Sequence, residues 1–444
     1  MTASNEAAGP GRSGTPHTHI EHRPGPSSQP PPGPARTNEV LGTVADPVTA
    51  RTAMVARLEG DGTLGRGRVR DALLALSCEV LIPQAYVRRS APGERPGRWD
   101  LLDWTEREDR GELLSVLYGG ASVGIQRDEE PILGRARGTS LTGSITSAFP
   151  GMGLTAFLLR ELDLLPGQRV LDIGTGAGVI AAVASHVCGH SGVVTVARDA
   201  HVTDAAGARL AELGYWPTVV NGPGDQGCPA AAPYDRILAC AGPRVPDALV
   251  EQLAPGGRLL VHVITTSPLR PGLAVVTRTA NGKVRAELRA SDGAHHGGDS
   301  TKLSVLTSEF RARIATESGD WTQWSRLAPP GETAHGLWLA VDHHLGGLVR
   351  DFDDEQLLVG APACGSWMRV RPEGYHRWAV TTSGPRDVWM EIQRVAARWR
   401  AAGQPSVYRV HVDGHEQWVS GGSGNTEMSW PLPLPDTSPV TETP

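Results

Sequence analysis

The residues with the clearest capacity for chemistry are Asp172-Ile-Gly174-Thr175-Gly176-Ala-Gly178. They follow the apolar run Arg169–Ile173 and precede the apolar, helix-spaced run Val179–Cys188. A glycine-rich turn between a strand and a helix aims backbone N–H groups at whatever occupies it and lets that ligand approach the main chain closely. A dinucleotide fingerprint needs Gly or Ala five residues after the first glycine, and Val179 stands there, so a different small-molecule cofactor is indicated. The adjacent pairs His295-His296 and His343-His344 cannot both face one metal from a regular strand, and no acidic residue sits at ligand spacing, so no metal site is expected. Serine-hydrolase, Walker and kinase motifs are absent from the sequence.

The elements that must position this turn read as a repeating strand and helix alternation. After Val179–Cys188 come a strand at Val193–Val196, a helix near Val202–Leu213, strands at Thr218–Val220 and Arg236–Cys240, a helix at Pro246–Leu253 and a buried strand at Arg258–Ile264. This pattern predicts an α/β fold with a doubly wound, Rossmann-like sheet. Upstream, Ala50–Leu58 and Val69–Leu76 have helical spacing, Leu113–Tyr118 and Ala121–Ile125 read as a helix end and a strand, Gly138–Gly151 reads as a loop, and Leu154–Leu165 reads as a helix. Five regions follow: a disordered Pro/Gly-rich tail (1–45), an N-terminal helical cap (46–150), the Rossmann-like core (151–265), a small Trp-rich α+β extension (266–434) and a second disordered tail (435–444). Nine of the twelve tryptophans fall in the extension and are expected in its core. Tyr408–Val412 and His415–Val419 are expected to pair around Asp413-Gly414.

Composition narrows the function classes. Gly (54) and Pro (35) make up about 20% of the 444 residues, against roughly 12% in typical globular chains. The net charge of −6 offers no basic field for nucleic acid or an anionic membrane surface. Five scattered cysteines form no C-x-x-C pair, and neither a signal-peptide pattern nor a long apolar run is present, so a cytoplasmic location is expected.

Three segments carry a more specific resemblance. The acid-x-Gly-x-Gly-x-Gly turn resembles motif I of class I S-adenosylmethionine (SAM) methyltransferases. Glu161-Leu-Asp-Leu-Leu-Pro-Gly-Gln-Arg-Val-Leu-Asp-Ile-Gly-Thr-Gly-Ala-Gly178, Pro233-Tyr-Asp-Arg-Ile237 and Val245-Pro-Asp-Ala-Leu-Val-Glu-Gln-Leu-Ala-Pro-Gly-Gly-Arg-Leu259 together resemble the protein-L-isoaspartate O-methyltransferase family. The likeness covers roughly residues 67 to 265. It implies a SAM methyltransferase fold and a carboxyl O-methyltransferase that acts on isoaspartyl or aspartyl carboxylates of a protein or peptide, with Asp172, Gly174, Thr175, Gly176 and Gly178 at the cofactor. Further segments, Trp99-Asp-Leu-Leu-Asp-Trp104, Leu117-Tyr-Gly-Gly120 and Val410-His-Val-Asp-Gly-His-Glu-Gln-Trp418 with Trp430-Pro-Leu-Pro433, are similar to actinobacterial members. Some of these accompany ATP-grasp or lanthipeptide maturation systems, which implies an Asp carboxylate in a modified peptide as acceptor.

Two positions depart from the family pattern. Ala197 stands where an acid usually bonds the ribose, and Gly222-Pro223-Gly224 replaces Gly-Asp-Gly on the adenine side. Asp199 and Asp225 each lie two residues downstream. Either they substitute, or Asp199 is the N-cap of the following helix. A carboxylate with a pKa near 4 is already ionised at neutral pH, so its methylation needs no general base. The acceptor must instead be held in line and away from water. The family likeness assigns that holding to a Ser/Thr segment, here Ser144-Ile-Thr-Ser-Ala-Phe-Pro150, with Thr146 and Ser147 as candidates. The alternative reading is a degenerate member that binds a peptide or partner without turnover.

Overall fold

The computed structural model describes residues 46–90, 98–140, 143–264, 272–290, 311–353, 356–413 and 416–433. Both expected tails and His295-His296 lie outside the described residues. The chain enters through α1 (Pro47–Gly60), which is capped by the Asp46 carboxylate accepting from the N–H groups of Val48 and Thr49 at 3.4 and 2.9 Å. Pro47 occupies the first turn, where its missing N–H leaves nothing unsatisfied. Two short helices, α2 (Arg68–Ala75) and α3 (Cys78–Leu81), lead into β1 (Gln84–Arg88), β2 (Trp99–Asp103), α4 (Arg110–Gly119), β3 (Val123–Arg127), β4 (Gly138–Ser140) and β5 (Ile145–Phe149). These five strands form one antiparallel sheet in the order β4-β2-β1-β3-β5. The 138–151 stretch, expected as a loop, therefore contains two strands. Its apolar residues are sparse, but Ile145 and Phe149 fall at one face of β5 and are buried, and pairing with β3 outweighs the weak local preference of a Ser/Thr run.

The core follows as α5 (Met152–Leu162), β6 (Val170–Ile173), α6 (Val179–Cys188), β7 (Val193–Ala197), α7 (Ala200–Glu212), β8 (Thr218–Asn221), β9 (Tyr234–Gly242), α8 (Asp247–Glu251) and β10 (Leu253–Val263). Its strands are parallel and ordered β8-β7-β6-β9-β10, so the winding reverses between β6 and β9. A reversal of this kind leaves a crevice beyond the carboxyl ends of the strands, where ligands of α/β sheets bind. Successive residues of β10 serve opposite cores. Leu260 packs toward the N-terminal helices, and Leu259 and Val261 pack toward the C-terminal region.

The remainder comprises β11 (Gly272–Arg278), β12 (Val284–Ala290), β13 (Trp321–Ser325), α9 (His335–His344), β14 (Val349–Asp353), β15 (Gln356–Ala361), β16 (Ser366–Pro372), β17 (Trp378–Ser383), α10 (Val388–Ala401), β18 (Val407–Asp413), β19 (Glu416–Gly421) and β20 (Met428–Pro431). Five of these strands extend the core sheet, to the order β20-β19-β18-β12-β11-β10-β9-β6-β7-β8. The expected division after residue 265 thus falls between neighbouring strands, because β10 pairs with β11 from Arg258↔Thr277 to Val263↔Gly272. The others form a second antiparallel sheet, β13-β17-β16-β15-β14. Trp338, Trp367, Trp389 and Trp430 are buried as expected. Trp321 and Trp324 are not, because β13 is an edge strand; both are exposed, and the Arg377 guanidinium lies 4.2 Å from the centre of the Trp324 ring. His343 and His344 pack their rings on Trp430, with centroids 5.1 and 5.2 Å away. Among the described residues no helix is long and apolar enough to cross a membrane.

Candidate functional site

The glycine turn sits at the carboxyl end of β6, beside the winding reversal. Gly174 donates its N–H to Val196 O at 2.8 Å, which ties the turn to the end of β7, and Gly178 donates to Thr175 O at 2.7 Å. Gly174, Gly176 and Gly178 have φ of +102°, +49° and +82°. At Gly176 an added Cβ would meet only Gly174 O, 3.7 Å away, so the position is open to the cleft that the turn lines. The first turn of α6 follows directly, and its free N–H groups and positive dipole end favour a negatively charged ligand group.

Asp172 lies beneath the turn and is 2% exposed. Its carboxylate accepts from Thr195 Oγ1 at 2.9 Å, and the same hydroxyl shares a 2.8 Å hydrogen bond with Thr175 Oγ1. Burial pushes the Asp172 carboxyl up to about 7, against the lowering influence of the Thr195 bond. A cation brought to this carboxyl would favour its ionised form.

On the far side of β7 the strand ends at Ala197. Asn221 closes this edge by donating to Ala197 O and Arg198 O at 3.3 and 2.9 Å. Asp199 is the N-cap of α7, where one carboxylate oxygen accepts from His201 N at 2.7 Å and the other from Gln126 Nε2 at 2.5 Å. It lines the cleft from that capping position. Asp225 lines it too, from an exposed single turn at Gly224–Gln226.

A further part of the lining comes from β5. Thr146 donates to Gln126 Oε1 at 3.0 Å and accepts from Glu129 N at 3.1 Å, while Ser147 stands opposite Gln126 in the strand register. Both hydroxyl residues line the cleft, which has a volume of about 1550 Å³. Asp172, Gly174, Thr175, Gly176, Asp199, Asp225, Thr146 and Ser147 are thus brought round one cavity, whereas Gly178 does not line it and backs onto Leu210, whose side chain an added Cβ would approach to 3.2 Å. Three buried polar or charged residues stand out among the lining residues that are not sequence-based candidates. Gln126 is 1% exposed and joins Thr146 to Asp199; Arg244 is buried on the loop after β9, 3.5 Å from Asp247; His262 is 1% exposed on β10. A lone histidine inside the apolar run Leu259–Val263 was a readable signal for the last, whereas Gln126 and Arg244 have no local pattern to mark them.

Residues 140–291 match the family model described as protein-L-isoaspartate(D-aspartate) O-methyltransferase. Among curated proteins, the protein-L-isoaspartate O-methyltransferase of Rhodopseudomonas palustris is 47% identical over 112 residues, 25% of this chain and 50% of that protein. That of Methanopyrus kandleri is 39% identical over 136 residues, 30% of this chain and 59% of that protein. The chain thus spans about half the length of the curated relatives it matches. A solved protein-L-isoaspartate O-methyltransferase is 20% identical with a TM-score of 0.41, covering 86% of this chain and 99% of that one.

Proposed function

We propose, from a chain whose residues 140–291 match the protein-L-isoaspartate O-methyltransferase family model, that it is a SAM-dependent carboxyl O-methyltransferase acting in the cytoplasm on isoaspartyl or aspartyl carboxylates of a protein or peptide. The observation that carries this reading is one cleft with two unlike walls. To the one we assign a glycine turn over a buried acid, and to the other the two hydroxyl residues of β5 and the buried Arg244, all of which line the same cleft.

The residues present fit the cofactor. The open face at Gly176 admits a ligand against the main chain, the first turn of α6 offers N–H donors to a carboxylate, and Asp172 stands ready to ionise beside a cation. Asp199 and Asp225 border the part of the cleft that would take the ribose and adenine. SAM, when bound, supplies a methyl group on a sulfonium, which an ionised carboxylate attacks without help from a base. The chain's task is to orient and desolvate the acceptor. Thr146 and Ser147 would hold it by hydrogen bonds, Thr146 by turning its hydroxyl away from Gln126, and Arg244 would draw the carboxylate to the cleft by charge. No charged base is needed among these residues.

Calorimetry of the full chain with SAM tests the cofactor half, and methyl transfer from labelled SAM to an isoaspartyl peptide tests the reaction. Saturable binding and methyl ester formation are expected. Absence of heat and of a thermal shift at millimolar SAM overturns the enzyme reading.

A further inference from the structure

The C-terminal segment His415-Glu-Gln-Trp418, which the catalytic reading leaves unused, contains a side chain that reaches the cleft's own loop. Gln417 on β19 is 3% exposed. Its Nε2 donates to Val245 O at 2.8 Å, its Oε1 accepts from Val245 N at 3.1 Å, and Nε2 also lies 3.4 Å from Asp247 Oδ1. The amide thus pairs with both backbone groups of one residue, as a neighbouring strand would. Gln417 is itself fixed, since β19 lies between β18 and β20 and Leu432 N donates to Gln417 O at 2.8 Å.

Val245 belongs to the loop Gly242-Pro-Arg-Val-Pro-Asp247, of which Gly242, Pro243, Arg244, Pro246 and Asp247 line the cleft. Pro243 and Pro246 have no N–H, so Arg244 and Val245 are the only backbone donors between Gly242 and Asp247. The start of the loop is held by Ile264 N donating to Gly242 O at 2.8 Å. Val245 is buried, so removing the amide would strand a buried N–H and C=O and force the loop to move. The residue that moves with Val245 is its neighbour Arg244.

We propose that Gln417 is a positioning residue for methyl transfer, by which the C-terminal extension holds the 242–247 loop and keeps Arg244 where the acceptor carboxylate is received. This rests on the methyltransferase reading above. It assigns the extension a part in acceptor recognition and none in cofactor binding, because no residue of the glycine turn touches Gln417 through these bonds.

The test uses the full chain with Gln417→Leu and Gln417→Glu, the first removing both hydrogen-bonding groups and the second keeping only an acceptor. Hydrogen exchange at the Val245 amide is read without any substrate; faster exchange in Gln417→Leu supports the clamp, and unchanged exchange overturns it. Steady-state methylation of an isoaspartyl peptide is expected to show KM raised about tenfold with kcat nearly constant, and SAM affinity by calorimetry within about twofold of the parent. Gln417→Glu, which sets a carboxylate against Val245 O and Asp247, is expected to raise KM at least as much. Equal loss of SAM affinity, kcat and KM would mark a merely structural residue and overturn the proposal, as would an unchanged KM. Should the parent protein bind no SAM, the methyltransferase reading falls, and the exchange measurement still decides whether Gln417 holds the loop.

Discussion

The two walls of the cleft are built in opposite ways. The wall assigned to the cofactor is largely sequence-local: Asp172, the glycine turn, Thr195 and Asp199 fall within one βαβ passage of fewer than thirty residues, with only Asp225 further along the chain. The wall proposed for the acceptor takes Gln126 from β3, Thr146 and Ser147 from β5, Arg244 from the loop after β9 and His262 from β10, with Gln417 bonded to that loop from behind. A local wall is set by backbone conformation and fails as a unit. A wall gathered from distant segments has parts that support one another, so single changes there should give graded losses. That contrast ranks the effects of mutation.

The largest loss is expected at Gly176. Gly176→Val places a β-branched residue at φ of +49° and projects its bulk into the cleft. The backbone strain is about 1–3 kcal/mol, which a fold of ordinary stability survives, but the ligand's place is filled. SAM binding by calorimetry should disappear while circular dichroism is retained, and residual binding near the parent value would break the assignment of this wall. Asp172→Asn comes next. The carboxyl holds its proton to about pH 7 in the fold but only to 3.8 when unfolded, so its share of stability is complete below 3.8 and is lost as pH rises through about 7. The Asn variant has no such loss and should melt above the parent at about pH 8, with the difference shrinking as pH falls. It should also bind SAM at least tenfold more weakly, because the cation loses its carboxylate.

On the acceptor wall Thr146→Ala should leave SAM affinity unchanged and reduce kcat/KM for an isoaspartyl peptide by about tenfold, the size of one hydrogen bond to a charged group. A tenfold change in SAM affinity instead would show that the walls are not separable.

How much of this was legible follows from the same difference. Strand, turn and helix at Arg169–Cys188 were readable because apolar period and glycine punctuation coincide there, and the helix Val179–Cys188 matches its expected bounds. Asp199 as a helix cap was readable as one of two alternatives, since its position before Ala200–Glu212 is a local property. β5 was not, because its strand character comes from pairing with β3. Trp321 and Trp324 were expected inside on grounds of size, but whether β13 lies at a sheet edge is fixed by the order of strands and not by their sequences. Gln417 could not be seen at all, since its partner Val245 is far away in the chain.

Gln126 is where the contrast between the walls should blur. Its amide accepts from Thr146 and donates to Asp199 and to Glu130 O, so one buried side chain touches the acceptor wall and the cap of α7 together. Gln126→Leu preserves much of the volume but leaves an Asp199 oxygen and the Glu130 carbonyl short of a donor, a cost of about 1–3 kcal/mol that should lower the melting temperature. Its catalytic effect should be the smallest of the series yet the broadest, with SAM affinity and acceptor KM each worsening by only a few-fold. In a double-mutant cycle with Thr146→Ala, the acceptor effects should be non-additive, because Gln126 acts on the acceptor through the Thr146 hydroxyl to which it is bonded and has nothing to position once that hydroxyl is gone. The effect of Gln126→Leu on SAM affinity should persist undiminished in the double variant, since it passes through Asp199, which Thr146 does not touch. Were the cofactor effect also to vanish in the double variant, Thr146 and Asp199 would act as one unit, and the cleft would have to be treated as a single network and not as two walls.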